Sequence, residues 1–297
     1  MATPKNQSIL EEPKKHNGRW RMIVCDLDGT LIGPDHKISP QDRRAIQMAR
    51  DAGLDVSICT GRSAHESLAV IEPLGLCGPA VFVTGATVSD VQTGRTLLRH
   101  SLASRLVADL IEFFGGFGHA VLLLVDEENS PGPRYVITSH GPVHAATAEW
   151  FLRNKLHCVV NENPDPRMLD HVVRLSIVAD PPRSMEIAGM LRRQFDSRLT
   201  FLCLKAHLFD CHVIEVFHPN VDKWTGIQEL CRMRRIDSNA VVTIGDDIND
   251  VAMLRNAALS FAMGNAIHSI QQSAKRVTRS QSDGGVAAAI DQVLAEL

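Results

Sequence analysis

Four short apolar runs in this chain each stop at a polar loop that contains a glycine, and this repeated pattern constrains the fold more than any other feature. Met22–Cys25 ends at Asp26-Leu27-Asp28-Gly29-Thr30, Leu54–Cys59 at Thr60-Gly61-Arg62, Ala80–Val83 at Thr84-Gly85-Ala86, and Ala240–Ile244 at Gly245-Asp246-Asp247. Met22–Cys25, short, apolar at every position and partly β-branched, reads as a strand buried on both faces, the habit of parallel sheets. Helical segments separate the four runs. One is expected from Ser39, with Pro40 at its first position, Asp42 in its first turn, Ala45, Ile46 and Ala49 on an inner face, and Gly53 just past its end. Others are expected near Ala64–Leu74, at Lys223–Met233, at Asp250–Asn256 and from Gly285 onward. Alternating strand and helix predict an α/β fold, a doubly wound sheet of the Rossmann-like type.

Between residues 88 and 217 the pattern changes. Strand-like segments at Leu97–His100, Val121–Val125, Tyr135–Thr138, Val172–Val178 and Val213–Phe217 alternate with helical ones at Ala103–Phe114, His144–Asn154 and Ser184–Phe195. This is the pattern of an inserted α+β domain. The expected organisation is a loose, polar N-terminal extension (1–19), one core in two segments (20–87 and 218–297) and an insert (88–217). A length of 297 residues agrees with two domains of ordinary size, roughly 100 to 200 residues each.

A formal net charge of −3 lacks the positive field that a phosphate backbone demands, so nucleic acid is not expected as a partner. Seven cysteines without a C-x-x-C pair fit reduced thiols in the cytoplasm, and the opening stretch has no apolar run to serve as a secretion signal or membrane anchor.

In an open α/β sheet the carboxyl ends of the strands line the ligand crevice, so the polar loops can converge although they are distant in sequence. Asp26 and Asp28 are two residues apart, which turns both carboxylates to one side of an extended chain, and Gly29 permits a sharp change of direction. By itself D-x-D-G is equally a strand-end turn. Gly245-Asp246-Asp247-Ile248-Asn249-Asp250 is more telling, because helix capping needs one such residue and this segment has four in five positions. Asp246 and Asp250 would share a face if the helix began early. Gathering Asp26, Asp28 and Asp246 would be destabilising without a hard divalent cation, and in a phosphate enzyme oxygen ligands suit Mg²⁺. Thr60-Gly61 offers a hydroxyl and an unencumbered N–H to a phosphate oxygen, and Lys223 a mobile positive charge.

Taken in order, D-L-D-G-T-L (26–31), T-G-R (60–62), Lys223 and G-D-D-I-N-D-V-A-M-L (245–254) resemble the haloacid dehalogenase (HAD) superfamily. The likeness extends to its Cof-type branch, subfamily IIB, whose cap domain is inserted between the second and third motifs. Met263-Gly264-Asn265-Ala266 and Asp283-Gly284-Gly285-Val286-Ala287 look like the closing segments of that branch. The resemblance implies a HAD core with an α+β cap, and an aspartyl-phosphate mechanism. Asp26 would be the nucleophile and Asp28 the general acid and base. Mg²⁺ would be held by Asp26, the backbone carbonyl of Asp28 and Asp246, with Asp247 and Asp250 in support. The Leu27 backbone, Thr60, Gly61, Lys223 and Asn249 would hold the phosphoryl oxygens. Two positions depart from the branch: Thr84 stands where Asn is usual, and Trp224 follows Lys223 where Gly is usual.

The expected activity is hydrolysis of small phosphorylated metabolites, sugar phosphates foremost, by a monomer or small homo-oligomer. A phosphomutase or other phosphotransferase would use the same groups, and a non-catalytic module could keep the fold but would not require Asp28. His207, His212 and His218 are not expected to form a zinc site, since six residues along a strand span roughly 20 Å. Gly115-Gly116-Phe117-Gly118 reads as a turn, because it follows a helix instead of preceding one. Cys25 and Cys59 read as buried structural thiols.

Overall fold

Every side chain of β1 (Met22–Cys25) is fully buried, which requires a sheet covered on both faces. The computed structural model describes residues 18–127, 134–138, 141–206 and 209–297. After β1 comes α1 (Pro40–Asp51), whose N-cap Ser39 accepts the Asp42 N–H, and then β2 (Asp55–Ile58). Next are α2 (Ala64–Ile71), opened by a reciprocal cap between Ser63 and Glu66, and β3 (Pro79–Phe82). Two more strands, β4 (Thr87–Asp90) and β5 (Thr96–Arg99), fold back antiparallel from β3.

The insert follows as α3 (Ser104–Gly115), β6 (Val121–Val125), β7 (Arg134–Thr138), α4 (Ala145–Asn154), β8 (Cys158–Val160), α5 (Pro166–Leu169), β9 (Val172–Ala179), α6 (Pro181–Phe195), β10 (Thr200–Lys205) and β11 (His212–Phe217). The core resumes with α7 (Lys223–Arg234), β12 (Val241–Gly245), α8 (Val251–Asn256), β13 (Leu259–Ala262), α9 (His268–Gln271), β14 (Arg276–Val277) and α10 (Gly285–Leu294).

The core sheet has the order β14-β13-β12-β1-β2 and is parallel throughout. Alternate residues of β1 serve two helical layers. Ile23 and Cys25 pack with Ala45, Ile46 and Ala49 of α1 and Ala289 and Ile290 of α10. Met22 and Val24 pack with Ile227 and Leu230 of α7 and Met253 of α8. The doubly wound expectation is met, and β1 lies where the strand order reverses, the place at which such sheets open a crevice.

The third expected core run forms β3, but only a single bridge, Cys59 to Val81, joins it to the end of β2. Residue 88, where the sequence reading begins the insert, falls inside β4. Because β4 and β5 pair with β3 and Val88 packs beside Met22 and Val24, sheet pairing carries the first core segment to Arg99. The insert builds a six-stranded sheet, β10-β11-β9-β6-β7-β8. One face is covered by α3 and α6 through Leu106, Leu110, Ile187 and Leu191. The other turns toward the core, where Leu124, Tyr135 and Ile137 join the core's own apolar cluster. Of the N-terminal extension, residues 1–17 lie outside the described residues; Trp20, where the core segment begins, is buried and its indole N–H donates to Glu296 at 3.3 Å.

Candidate active site

Pairing in register brings the carboxyl ends of β1, β2 and β12 side by side, so Asp26, Thr60 and Asp246 leave the sheet at one edge. Lys223 arrives from another direction, as the first residue of α7. Asp222 fixes that helix start by accepting the Thr225 N–H at 2.8 Å. The Lys223 ammonium, with no exposed surface, donates to Asp26 Oδ1 and to Asp250 Oδ1, each at 2.6 Å. Asp250 Oδ2 accepts the backbone N–H groups of Asp246 (2.8 Å) and Asp247 (3.0 Å). Asp247 caps its own turn through the Ile248 N–H. Asp246 is held by the Thr30 hydroxyl at 2.7 Å and by Asn265 Nδ2 at 3.3 Å.

The helix does not begin early, as a shared face for Asp246 and Asp250 would need. A 3₁₀ turn over Ile248–Asp250 precedes α8. Asp250 reaches inward because it braces the loop and meets Lys223.

Carboxylate oxygens of Asp26, Asp246 and Asp250 lie within 4.8 Å of one another. Three carboxylates face one ammonium, leaving a formal excess of two negative charges for a divalent cation to neutralise. Burial holds the Asp26 carboxyl well above the usual carboxylate range; Lys223 opposes this, and Asp250, Asp246 and Asp28 add to it. Burial and then Asp250 push Asp246 up to about 7. Burial pulls Lys223 down, but Asp250 and Asp26 outweigh it and keep the ammonium charged. Hard oxygen donors under this crowding fit Mg²⁺.

The Asp28 side chain stands apart from this cluster. It is 55% exposed and takes a two-pronged contact from Arg62, at 2.7 Å from Nε and 2.5 Å from Nη2. Leu27 is buried, and its carbonyl accepts the Thr30 and Ile32 N–H groups, tightening the loop. Thr60 is fully buried and its Oγ1 accepts the Arg62 N–H at 3.2 Å, which leaves the hydroxyl proton available to a ligand. A methyl placed on Gly61 would lie 3.5 Å from both Asn249 Nδ2 and Thr84 Oγ1, so these two groups converge beside Gly61.

Thr84 Oγ1 and Asn249 Oδ1 are buried without partners. Val83 (φ 51°) and Thr84 (φ 58°) both adopt the left-handed region, a strained backbone for β-branched residues that is found where a site constrains the chain.

Arg62, Thr84 and Asn265 thus take positions in the site to which the sequence reading assigned no role. Their signal was adjacency to the motifs, and adjacency does not say which way a side chain points. Arg174 of β9 also reaches this region from the insert, and no local pattern marks it. Elsewhere, His212 bonds Ser184 at 2.6 Å and His218 stacks near His100, while His207 lies outside the described residues. Cys25 and Cys59 are buried, and burial raises both thiol pKa values, in keeping with a structural role. All seven cysteines are free. No helix among the described residues is long and apolar enough to cross a membrane.

A family model for haloacid dehalogenase-like hydrolases matches residues 23–290. The chain is 25% identical over 297 aligned residues to a Bacillus subtilis protein named 5-amino-6-(5-phospho-D-ribitylamino)uracil phosphatase YwtE, covering 92% of this chain and 98% of the relative. It is 27% identical to another of that name, YitU, also from Bacillus subtilis, covering 90% and 94%. Among solved structures, a putative HAD/COF-like hydrolase from Plasmodium vivax superposes with a TM-score of 0.76 at 27% identity, covering 94% of this chain and 97% of that one.

Proposed function

Because the chain belongs to the haloacid dehalogenase-like hydrolases, in their Cof-type branch, we propose that it is a Mg²⁺-dependent phosphatase of small phosphorylated metabolites that works through an aspartyl-phosphate on Asp26. The observation that carries this reading is the meeting of Asp26, Asp246 and Asp250 around the Lys223 ammonium. Two relatives named as phosphatases of a phosphorylated small molecule support the substrate class, and free cysteines are in keeping with a cytoplasmic setting.

An oxygen of Asp26 attacks phosphorus in line, forming the aspartyl O–P bond as the bond to the leaving oxygen breaks. Lys223 and the Thr60 hydroxyl, with Asn249 and the N–H groups of Leu27 and Gly61, stabilise negative charge on the phosphoryl oxygens. Asp28, at the mouth of the site, protonates the leaving oxygen and then takes a proton from the water that cleaves the intermediate. It must exchange its contact with Arg62 for that proton. Asp26, Asp246 and the Asp28 carbonyl would hold Mg²⁺, with Asp247 and Asp250 supporting them; when bound, the ion supplies positive charge against the phosphoryl group.

The test is hydrolysis of a generic aryl phosphate. The wild-type chain is expected to turn it over with Mg²⁺ and not in chelator, and Asp26→Asn to abolish turnover while remaining folded. Full activity in Asp26→Asn sinks the mechanism.

A further inference from the structure

Arg174 is buried within the cap sheet, with 7% of its side chain exposed, and forms an ion pair with Glu215 at 3.0 Å. Neighbouring Leu175 and Ile177 point into the cap's own core, whereas Arg174 projects from the opposite face onto the catalytic domain. There Nη1 donates to the Gly61 carbonyl at 3.0 Å. Nη2 donates to the Tyr135 hydroxyl at 3.2 Å, and Tyr135 donates to Glu66 Oε2 at 2.8 Å. The same Glu66 oxygen accepts the Ser63 N–H at 2.7 Å. One cap guanidinium thereby braces the segment that follows Thr60 at two points.

The peptide unit it grips has a second function. The Gly61 carbonyl and the Arg62 N–H belong to one rigid plane, and that N–H occupies one of the two lone pairs of Thr60 Oγ1. Fixing the carbonyl therefore fixes the N–H, and through it restricts the directions in which Thr60 can offer its proton. The Arg62 side chain, which follows directly from that peptide unit, holds Asp28.

Stability alone does not account for the arrangement. A buried ion pair is commonly matched or exceeded by apolar residues of similar volume, and Arg174 Nε is buried with no partner at all, a further cost. We infer that Arg174 is a positioning residue for phosphoryl transfer, setting from the cap the geometry of the Thr60–Arg62 loop, so that the loop is correctly aimed only while the cap is docked. This rests on the phosphatase reading above.

The test uses the full chain with Arg174→Met combined with Glu215→Gln, which removes both charges and keeps the volumes. Three quantities are measured: the thermal midpoint, kcat and KM for acetyl phosphate and for a bulky aryl phosphate, and the affinity for orthovanadate in the presence of Mg²⁺. The expected result is an unchanged or higher midpoint, with kcat lowered about 10- to 100-fold for both substrates alike and vanadate affinity weakened in proportion. Unchanged kcat overturns the inference. So does a loss confined to the bulky substrate, which would make Arg174 a leaving-group contact, or a kcat loss that merely follows a fallen midpoint.

If the double variant does not fold, Arg174→Lys decides. It keeps the charge but not the planar fork, and a normal kcat in that variant overturns the inference. Absence of any hydrolysis by the wild-type chain would count against the phosphatase reading, while vanadate binding still tests Arg174.

Discussion

Gly29 lies against Asp246 and Gly61 beside Asn249 and Thr84, yet the chain asks opposite things of them. Gly29 has φ +79°, and a Cβ there would meet Asp246 Oδ2 at 2.1 Å. Its substitution by alanine combines left-handed strain with displacement of the Asp246 carboxylate, so Gly29→Ala is expected to lose about 1–3 kcal/mol of stability together with metal affinity. Gly61 has no positive φ, and an added methyl would make only ordinary contacts, at 3.5 Å, with Asn249 and Thr84. Gly61→Ala should therefore fold with an unchanged thermal midpoint. Its methyl would occupy the space where those two polar groups converge, and inorganic phosphate should bind about tenfold more weakly or worse, as read by competitive inhibition. Unchanged inhibition by phosphate in Gly61→Ala would place the phosphoryl group elsewhere.

The core strands were legible because strands buried on both faces are largely apolar, as in β1, apolar at every position, and β12, where Thr243 breaks the run but every residue is buried. The helix from Pro40 announced itself through Ser39, Pro40 and Asp42. Strands outside the core sheet carry weaker signals. In β10 the residues are half-buried or exposed, in β8 all three are exposed, and β4 was read as insert because its partner cannot be known from its own sequence. The site divided in the same way. Acidic loops after strands could be placed from position alone, whereas the Asp28–Arg62 and Arg174–Gly61 contacts depend on how distant segments meet.

α7 shows what an element contributes beyond its residues, since its first residue is Lys223 and its start is set by the reciprocal cap of Asp222 and Thr225. Asp222→Ala should cost about 0.5–2 kcal/mol and let the first turn fray, so kcat should fall by more than the small loss of stability explains. Denaturant midpoint and kcat measured on the same sample check this. A destabilised variant with full kcat would show that Lys223 is held by Asp26 and Asp250 alone.

At the scale of the whole molecule, folding gathers acidic groups that the unfolded chain keeps apart, which makes stability, pH and metal one linked problem. Metal-free, Asp246 is pushed up to about 7 from an ordinary value of 3.8, and Asp26 is raised in the same direction. A raised carboxyl pKa means that the folded state binds protons the unfolded state has released, so the Asp246 contribution to stability falls as pH climbs from about 4 through about 7, and the raised Asp26 pKa acts in the same direction. Mg²⁺ reverses the preference, because it needs the ionised carboxylate and must displace the proton. Below pH 7 displacement of the Asp246 proton should lower Mg²⁺ affinity by about tenfold per pH unit, and this dependence should fade above pH 7. Thermal melts at pH 6 and pH 8, each with and without Mg²⁺, should show a clearly larger metal-induced rise at pH 8. Equal rises at the two pH values would mean that Asp246 is already ionised in the metal-free fold, and that Lys223 with the loop's own N–H groups is sufficient to balance the cluster.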